Sequence, residues 1–255
     1  MSLYAEERQQ RILTQARAEG RVEVAALAEA LEVTQETVRR DLDRLERQGL
    51  VRRVHGGAMP TGRLDFEPGL SQRDATASSE KARMARVAVG LLPREGTVLL
   101  DAGTSTARVA AALPEDSRLT VVTNSLPIAT QLATRPAVTV HLIGGRVRGQ
   151  TLATVDAWAL ETLGRVTVDM AVVGTNGISA GRGLTTPDVS EAGVKSAMVA
   201  AGRQVVVLAD SSKYGSDQFA QFATLSEIDV VVSDSELDDQ ARAEIARQGP
   251  EVVLA

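Results

Sequence analysis

At 255 residues the chain has room for one small and one medium domain, each able to bury a core. It has no cysteine, which excludes disulfides and thiolate metal sites, and its two histidines, His55 and His141, stand too far apart in sequence to suggest zinc. The net charge of −5 is unevenly spread: residues 1–57 balance ten basic against ten acidic side chains, 33–57 carry six against four, and the other 198 residues carry 18 against 23.

The start MSLYAEERQQ lacks a signal-peptide core, and no run approaches the roughly 20 apolar residues of a membrane span, so a soluble cytoplasmic protein with no membrane partner is expected. In chain order, residues 6–18 predict a first helix with Ile12, Leu13 and Ala16 inward, and 24–31 a second with Val24, Leu27 and Leu31 inward. After the Glu32-Val33 turn, Thr34 can cap a third helix, and Glu36 suits the positive end of its dipole. Val38, Leu42 and Leu45 fall on its inner face, while Glu36, Arg40, Asp43 and Arg47 point away. Gly49 can end it in the left-handed conformation, and 50–54 then alternates apolar and basic residues before a Gly56-Gly57 turn.

Helix, turn, helix and basic β-ribbon together read as a winged helix-turn-helix, not as a plain three-helix bundle with solvated arginines. The N-terminal part of the third helix then faces base edges, making Gln35, Glu36, Thr37, Arg39 and Arg40 candidate readers; Arg44, Arg47, Arg52, Arg53 and His55 are candidates for phosphates. TVRRDLDRLERQGLVRRVHGGA at 37–58 resembles the DeoR-type bacterial transcription regulators, whose signature is a helix ending in RRDL followed by an HGGA wing. Within that family the chain looks most similar to regulators of fructose and related sugar-phosphate operons.

Residues 59–79, with Pro60, Gly62, Pro68 and Gly69, have linker composition, so the expected division is 1–58 for the DNA-binding domain, 59–79 for the linker and 80–255 for a second domain. There β-branched runs at 97–101, 119–123, 137–143, 168–174, 204–210 and 228–233 alternate with Ala-rich helical stretches near 80–92, 105–113, 125–134, 154–163, 188–201 and 238–247. Such alternation predicts an α/β fold with a mainly parallel sheet covered on both faces.

Ligands of such sheets collect at the carboxyl ends of strands. After TVLLD comes Ala102-Gly103-Thr104-Ser105-Thr106 and a helix, an arrangement whose amides and hydroxyls converge on an anion. It lacks the G-x-x-x-x-G-K-[ST] of nucleotide triphosphatases, so a phosphate monoester is expected in place of ATP. Thr123-Asn124-Ser125, Gly144-Gly145-Arg146 and Gly174-Thr175-Asn176-Gly177 follow later strands; each alone reads as a turn, and their recurrence argues for a polar small-molecule site. Lys195, four residues after Glu191, reads either as site charge or as half of a surface pair, and Lys213 just beyond a strand end can reach a phosphate.

LLDAGTSTARVA, VVTNSLPIA, LIGGRVRG, VGTNGIS, GLTTPDVSEAGVK and ADSSKYG are similar to the effector domain of the same family, which is akin in fold to ribose phosphate isomerase and the CoA transferases. The resemblance implies that Asp101, Gly103, Thr104, Ser105 and Thr106 contact a sugar phosphate, with Thr123, Asn124, Gly144, Gly145, Lys195 and Lys213 around it. Ser105 stands where the family more often has Thr, and the hydroxyl is kept. Fructose 1-phosphate as effector rests on the resemblance alone.

The expected function is a transcription repressor, a homodimer or homotetramer on operator DNA, controlled by a phosphorylated sugar and needing no cofactor or metal. An isomerase or hydrolase of sugar phosphates with an accessory DNA-binding head is the alternative: Asp101, Asp210 and Glu191 supply carboxylates and Lys195 or Lys213 a cation, but no paired motif points to catalysis. A nucleotide-binding redox domain is disfavoured by the absence of G-x-G-x-x-G. Trp158, in the amphipathic VDAWALETL, is expected in packed core in preference to a sugar-stacking role, and His141, in an apolar strand, is expected to be structural.

Overall fold

The computed structural model describes residues 4–19, 22–54, 56–60, 67 and 69–255. The chain divides into two compact units, 1–66 and 67–255.

In the first unit, α1 (Ala5–Glu19), β1 (Val22–Glu23), α2 (Val24–Ala30) and α3 (Gln35–Arg47) are followed by β2 (Val51–Val54) and β3 (Gly57–Pro60). Thr34 caps α3 by accepting from the Thr37 amide at 3.2 Å. At the other end Gly49, with φ +73°, closes a Schellman turn: its amide donates to Glu46 O and the Leu50 amide to Leu45 O. Ile12, Leu13 and Ala16 of α1, Leu27 of α2 and Val38, Leu42 and Leu45 of α3 form the core, as their spacing predicts. The wing is an antiparallel sheet of order β1-β3-β2. A Cβ at Gly57 would lie 1.9 Å from the Val22 carbonyl oxygen, so only glycine lets β3 run beside β1.

The second unit begins with α4 (Leu70–Ala75) and α5 (Ser78–Leu91), so the described part of 67–79 belongs to this unit although its composition reads as linker. Then follow β4 (Glu95–Leu100), α6 (Thr104–Ala112), β5 (Arg118–Thr123), α7 (Leu126–Leu132), β6 (Thr139–Leu142), β7 (Arg146–Arg148), β8 (Ala153–Val155), α8 (Ala157–Leu163) and β9 (Val168–Gly174). The chain continues through β10 (Gly177–Ser179), β11 (Gly183–Thr186), α9 (Val189–Ala201), β12 (Gly202–Leu208), β13 (Ala220–Ala223), β14 (Val230–Ser233), α10 (Asp239–Ala246) and β15 (Glu251–Leu254).

The main sheet has seven strands in the order β15-β14-β12-β9-β4-β5-β6, with every neighbouring pair parallel. Alternation along each strand sorts two cores. Val98, Leu100, Val121, Met170, Val172, Val206 and Val232 pack with Met84, Val109 and Ile128 of α5, α6 and α7. Leu99, Ala171, Val173, Val205, Val207 and Val231 pack with Ala159, Val194, Met198 and Ile245 of α8, α9 and α10. Burial on both faces is why these strands read as continuous β-branched runs. Edge strand β15, the hairpin β7-β8 and the antiparallel sheet β10-β11-β13 are additions that the six-strand expectation does not contain.

Candidate functional site

On the first unit, α3 turns Val38, Asp41, Leu42 and Leu45 inward and leaves Gln35, Glu36, Arg39, Arg40, Arg44 and Arg47 exposed, with Thr37 half-buried. Arg40 and Arg39 lie 3.4 and 3.8 Å from Glu36, weak exposed pairs that DNA can displace. Arg44 and Arg47 make no ion pair among the described residues. Arg53 is engaged differently: its guanidinium pairs with Asp43 and donates to the Arg39 carbonyl, while its amide donates to Glu46 at 2.7 Å, tying wing to helix. His55 and the side chain of Arg52 lie outside the described residues. Asp41 is a structural residue that periodicity hides: buried on α3, it accepts from Arg8 Nε at 2.5 Å and Gln9 Nε2 at 2.8 Å, both on α1.

On the second unit, the ends of β4, β5 and β9 carry the site. Asp101, shielded from solvent, accepts from Lys195 Nζ of α9 and from the Gly174 amide at 3.0 Å; Lys195 also donates to Gly174 O at 2.9 Å. Burial pushes the Asp101 carboxyl above the usual carboxylate range, against the opposing pull of Lys195 and the Gly174 amide. The alternative of Glu191 and Lys195 as a surface pair is overturned: both are buried, and Glu191 instead accepts from Thr151 and from Arg148 at 3.2 Å.

At the N-terminus of α6, Gly103 supplies no side-chain cap, and the first intrahelical bond is Ala107 N to Gly103 O. The start of α6 borders a cavity of about 280 Å3 lined by Gly103, Thr104, Ala107, Ser125, Pro127 and Thr151 with Leu70, Ser71 and Asp74 of α4. Thr106 turns back to donate to Gly103 O. Thr123 and Asn124 hold the loops behind this wall: Thr123 Oγ1 donates to Leu100 O at 2.6 Å, and Asn124 accepts from the Ala102 amide and donates to Thr154 O.

Other expected site residues serve local geometry. Gly145, at φ +147°, lies so close to Val155 that a Cβ would meet its carbonyl oxygen at 2.6 Å, and Gly144 is exposed beside it. Thr175 donates to Gly177 O and Thr185 O, and Asn176 accepts from Thr186. Of the expected effector residues only Gly103 and Thr104 line the cavity; Asp101, Ser105, Thr106, Thr123, Asn124, Gly144, Gly145, Gly174, Thr175, Asn176, Lys195 and Lys213 do not, and Lys213 Nζ lies 4.0 Å from Asp210.

One expectation fails. Trp158 is 75 % exposed, because Ala159 and Leu163 take the core face of α8. His141 is exposed on β6, the sheet's edge strand. Sequence reasoning also misses Glu67, Arg73 and Arg148, whose carboxylate and guanidinium groups meet beside the site, and Lys81. Arg148 lies in LIGGRVRG, but nothing local marks its pairing, and no motif marks Glu67, Arg73 or Lys81.

The model of the DeoR-like helix-turn-helix domain matches residues 8–61, and that of the DeoR C terminal sensor domain matches 76–235. The HTH-type transcriptional regulator GlpR of Haloferax volcanii is 39% identical, with 90% of each chain covered. The HTH-type transcriptional repressor GlcR of Bacillus subtilis is 34% identical over 99% of this chain and 97% of its own. The glycerol-3-phosphate regulon repressor of Escherichia coli is 31% identical over 85% and 86%. Among solved structures, ribose 5-phosphate isomerase A of Methanocaldococcus jannaschii is similar in fold, 16% identical with 55% of this chain and 56% of that one covered, at a TM-score of 0.42.

Proposed function

We propose that this chain, which belongs to the DeoR family of DNA-binding transcription regulators, represses genes of sugar uptake or catabolism under the control of a phosphorylated sugar. The carrying observation is the cavity at the start of α6, where a helix N-terminus that no side chain caps meets the hydroxyl-bearing Thr104, Ser125 and Thr151 around a space for a phosphate ester. Asp101 and Lys195 brace it from β4 and α9, and we assign Ser105, Thr106, Thr123 and Asn124 to the same effector site. Gly144, Gly145, Gly174, Thr175, Asn176 and Lys213 form its outer loops in this reading.

The relatives are named as regulators and repressors, and the chain is a regulator, not an enzyme. Glycerol 3-phosphate enters as a candidate effector through the name of the E. coli relative, beside fructose 1-phosphate. No helix among the described residues is long and apolar enough to cross a membrane, which fits action in the cytoplasm. A single head offers a small footprint, so we assign a homodimer or homotetramer on two or more operator half-sites, with Gln35, Glu36, Thr37, Arg39 and Arg40 at bases and Arg44, Arg47, Arg52, Arg53 and His55 at or near phosphates. The residues 59–79 then carry the signal between a DNA-binding and a sensor domain.

The test is a thermal-shift screen of the full chain against fructose 1-phosphate, glycerol 3-phosphate, glucose 6-phosphate and inorganic phosphate. An effector at a hundred times its Kd adds about 2.7 kcal/mol and raises Tm. Ser105→Glu places a fixed negative charge at the start of α6 and is expected to abolish the shift with little change in its own Tm. If no sugar phosphate stabilises the native chain, the effector half of this reading fails.

A further inference from the structure

Glu67 lies outside any helix or strand, yet its carboxylate is buried. It accepts from Arg73 of α4 at 2.7 Å and from Arg148 of β7, while its backbone carbonyl accepts from Gln150 at 2.7 Å. Arg148 also lies 3.2 Å from Asp188 and from Glu191, and Glu191 accepts from Thr151, which lines the cavity. The Glu67 cluster therefore lies directly behind a cavity wall. Leu70, Ser71 and Asp74, on the segment that begins with Glu67, form another part of that wall.

Charge and strain both bear on this segment. Around the cavity five carboxylates (Glu67, Asp74, Asp101, Asp188, Glu191) pair with four cations (Arg73, Arg108, Arg148, Lys195), a net charge of −1. An added phosphate dianion deepens that imbalance unless a carboxylate withdraws. Asp188 is fixed as the cap of α9, Glu191 is within α9, and Asp101 is held by Lys195 and the Gly174 amide. Asp74 lies within α4 and pairs with Arg108, whereas Glu67 neither follows a main-sheet strand nor caps or belongs to a helix. The segment ends in a strained turn: Ala77 has φ +51°, a left-handed conformation that a non-glycine residue rarely adopts. Lys81 Nζ holds that turn by donating to the carbonyls of Arg73 and Thr76.

We propose that Glu67 is an internal counter-anion, displaced from Arg148 and Arg73 when an anionic effector enters the cavity, so that residues 69–77 are latched while Glu67 holds the two arginines and released when the effector takes its place. The proposal rests on the sugar-phosphate reading of the cavity. Residues 69–77 stand at the start of the second unit, the end of that unit nearest in sequence to the DNA-binding head.

Hydrogen exchange on the full chain tests this, with wild type and Glu67→Gln, each alone and with saturating fructose 1-phosphate or glycerol 3-phosphate. In wild type either sugar phosphate is expected to slow exchange at 103–107 and to speed it at 70–77 by roughly tenfold. Glu67→Gln, which keeps the shape and removes the charge, is expected to show the fast rates at 70–77 without ligand and no further change with it. Protection at 103–107 with 70–77 unchanged or slowed overturns the displacement and leaves the cavity reading intact. Wild-type rates at 70–77 in unliganded Glu67→Gln overturn the latch. If neither sugar phosphate protects 103–107, the effector reading falls and the displacement with it.

Discussion

Lys195 of α9 donates to the carboxylate of Asp101 at the end of β4, 94 positions away in sequence, and both side chains are almost fully shielded from water. The pair fastens a helix on one face of the sheet to the strand end beside the start of α6. Removing only the ammonium leaves a buried carboxylate without its counter-ion, which costs about 3 kcal/mol or more. Lys195→Met is therefore expected to lose at least that much stability in urea unfolding at pH 7, and adding Asp101→Asn to restore most of it. The sign of the pH dependence follows from the raised Asp101 pKa. A raised folded-state value favours the protonated form, so its contribution is fully present below the ordinary value of 3.8 and is lost as pH rises through the folded-state value. Without Lys195 the value rises further, and the deficit of Lys195→Met is expected to shrink as pH falls towards 4.

The recognition helix divides its arginines by what already holds them. Arg40 is exposed near the start of α3 with only Glu36 beside it, so Arg40→Ala is expected to cost about 1 to 3 kcal/mol on the best operator and to relax base preference at one position. Arg47 has no ion pair among the described residues, and Arg47→Ala is expected to weaken all sequences alike and lower the salt slope by about one. Arg53 is held by Asp43 and the Arg39 carbonyl. Arg53→Ala is thus expected to loosen the wing and lower the melting temperature of the first unit as well as DNA affinity. Gel-shift titrations at three salt concentrations on matched and scrambled DNA separate these outcomes; identical losses for Arg40→Ala and Arg47→Ala on every DNA would refute the division of roles.

Much of this was legible because it is local. Thr34 and Gly49 mark the ends of α3 through bonds to residues within five positions, and Val38, Leu42 and Leu45 declare its inner face. The central strands were legible because both their faces are buried. β7, β8, β10 and β11 were not, since runs of three or four residues between turns carry too little periodicity. Trp158 shows the limit of phase: VDAWALETL is amphipathic, but Ala159 and Leu163 take the core, which leaves the indole about 100° off the buried face. The glycine and hydroxyl loops of the cavity were visible as strand-ending motifs. Glu67 and Arg148 were not, because their pairing spans 81 positions and depends on where α4 lies.

Lys81 gives a pH signature that no motif announces. Its side chain is buried on α5, with Nζ donating to the carbonyls of Arg73 and Thr76. Burial lowers its pKa from 10.5 to about 8, helped by the nearby charges of Lys213 and Arg73 and opposed by Asp210 and Asp74. A lowered folded-state pKa favours the neutral amine on folding, so the stability it contributes is fully present above 10.5 and is lost as pH falls through 8. Lys81→Met removes the titration and the two carbonyl bonds together. Between pH 8 and 10.5 the wild type is expected to gain on this variant by at most about 1.4 kcal/mol per pH unit, the limit for one proton, while below pH 8 the two stability curves run parallel. Urea unfolding of both proteins at pH 7, 8, 9 and 10 measures the difference. Parallel curves across the whole range would mean that Lys81 keeps its proton at pH 10 and that the carbonyls of Arg73 and Thr76 hold the ammonium more tightly than burial opposes it.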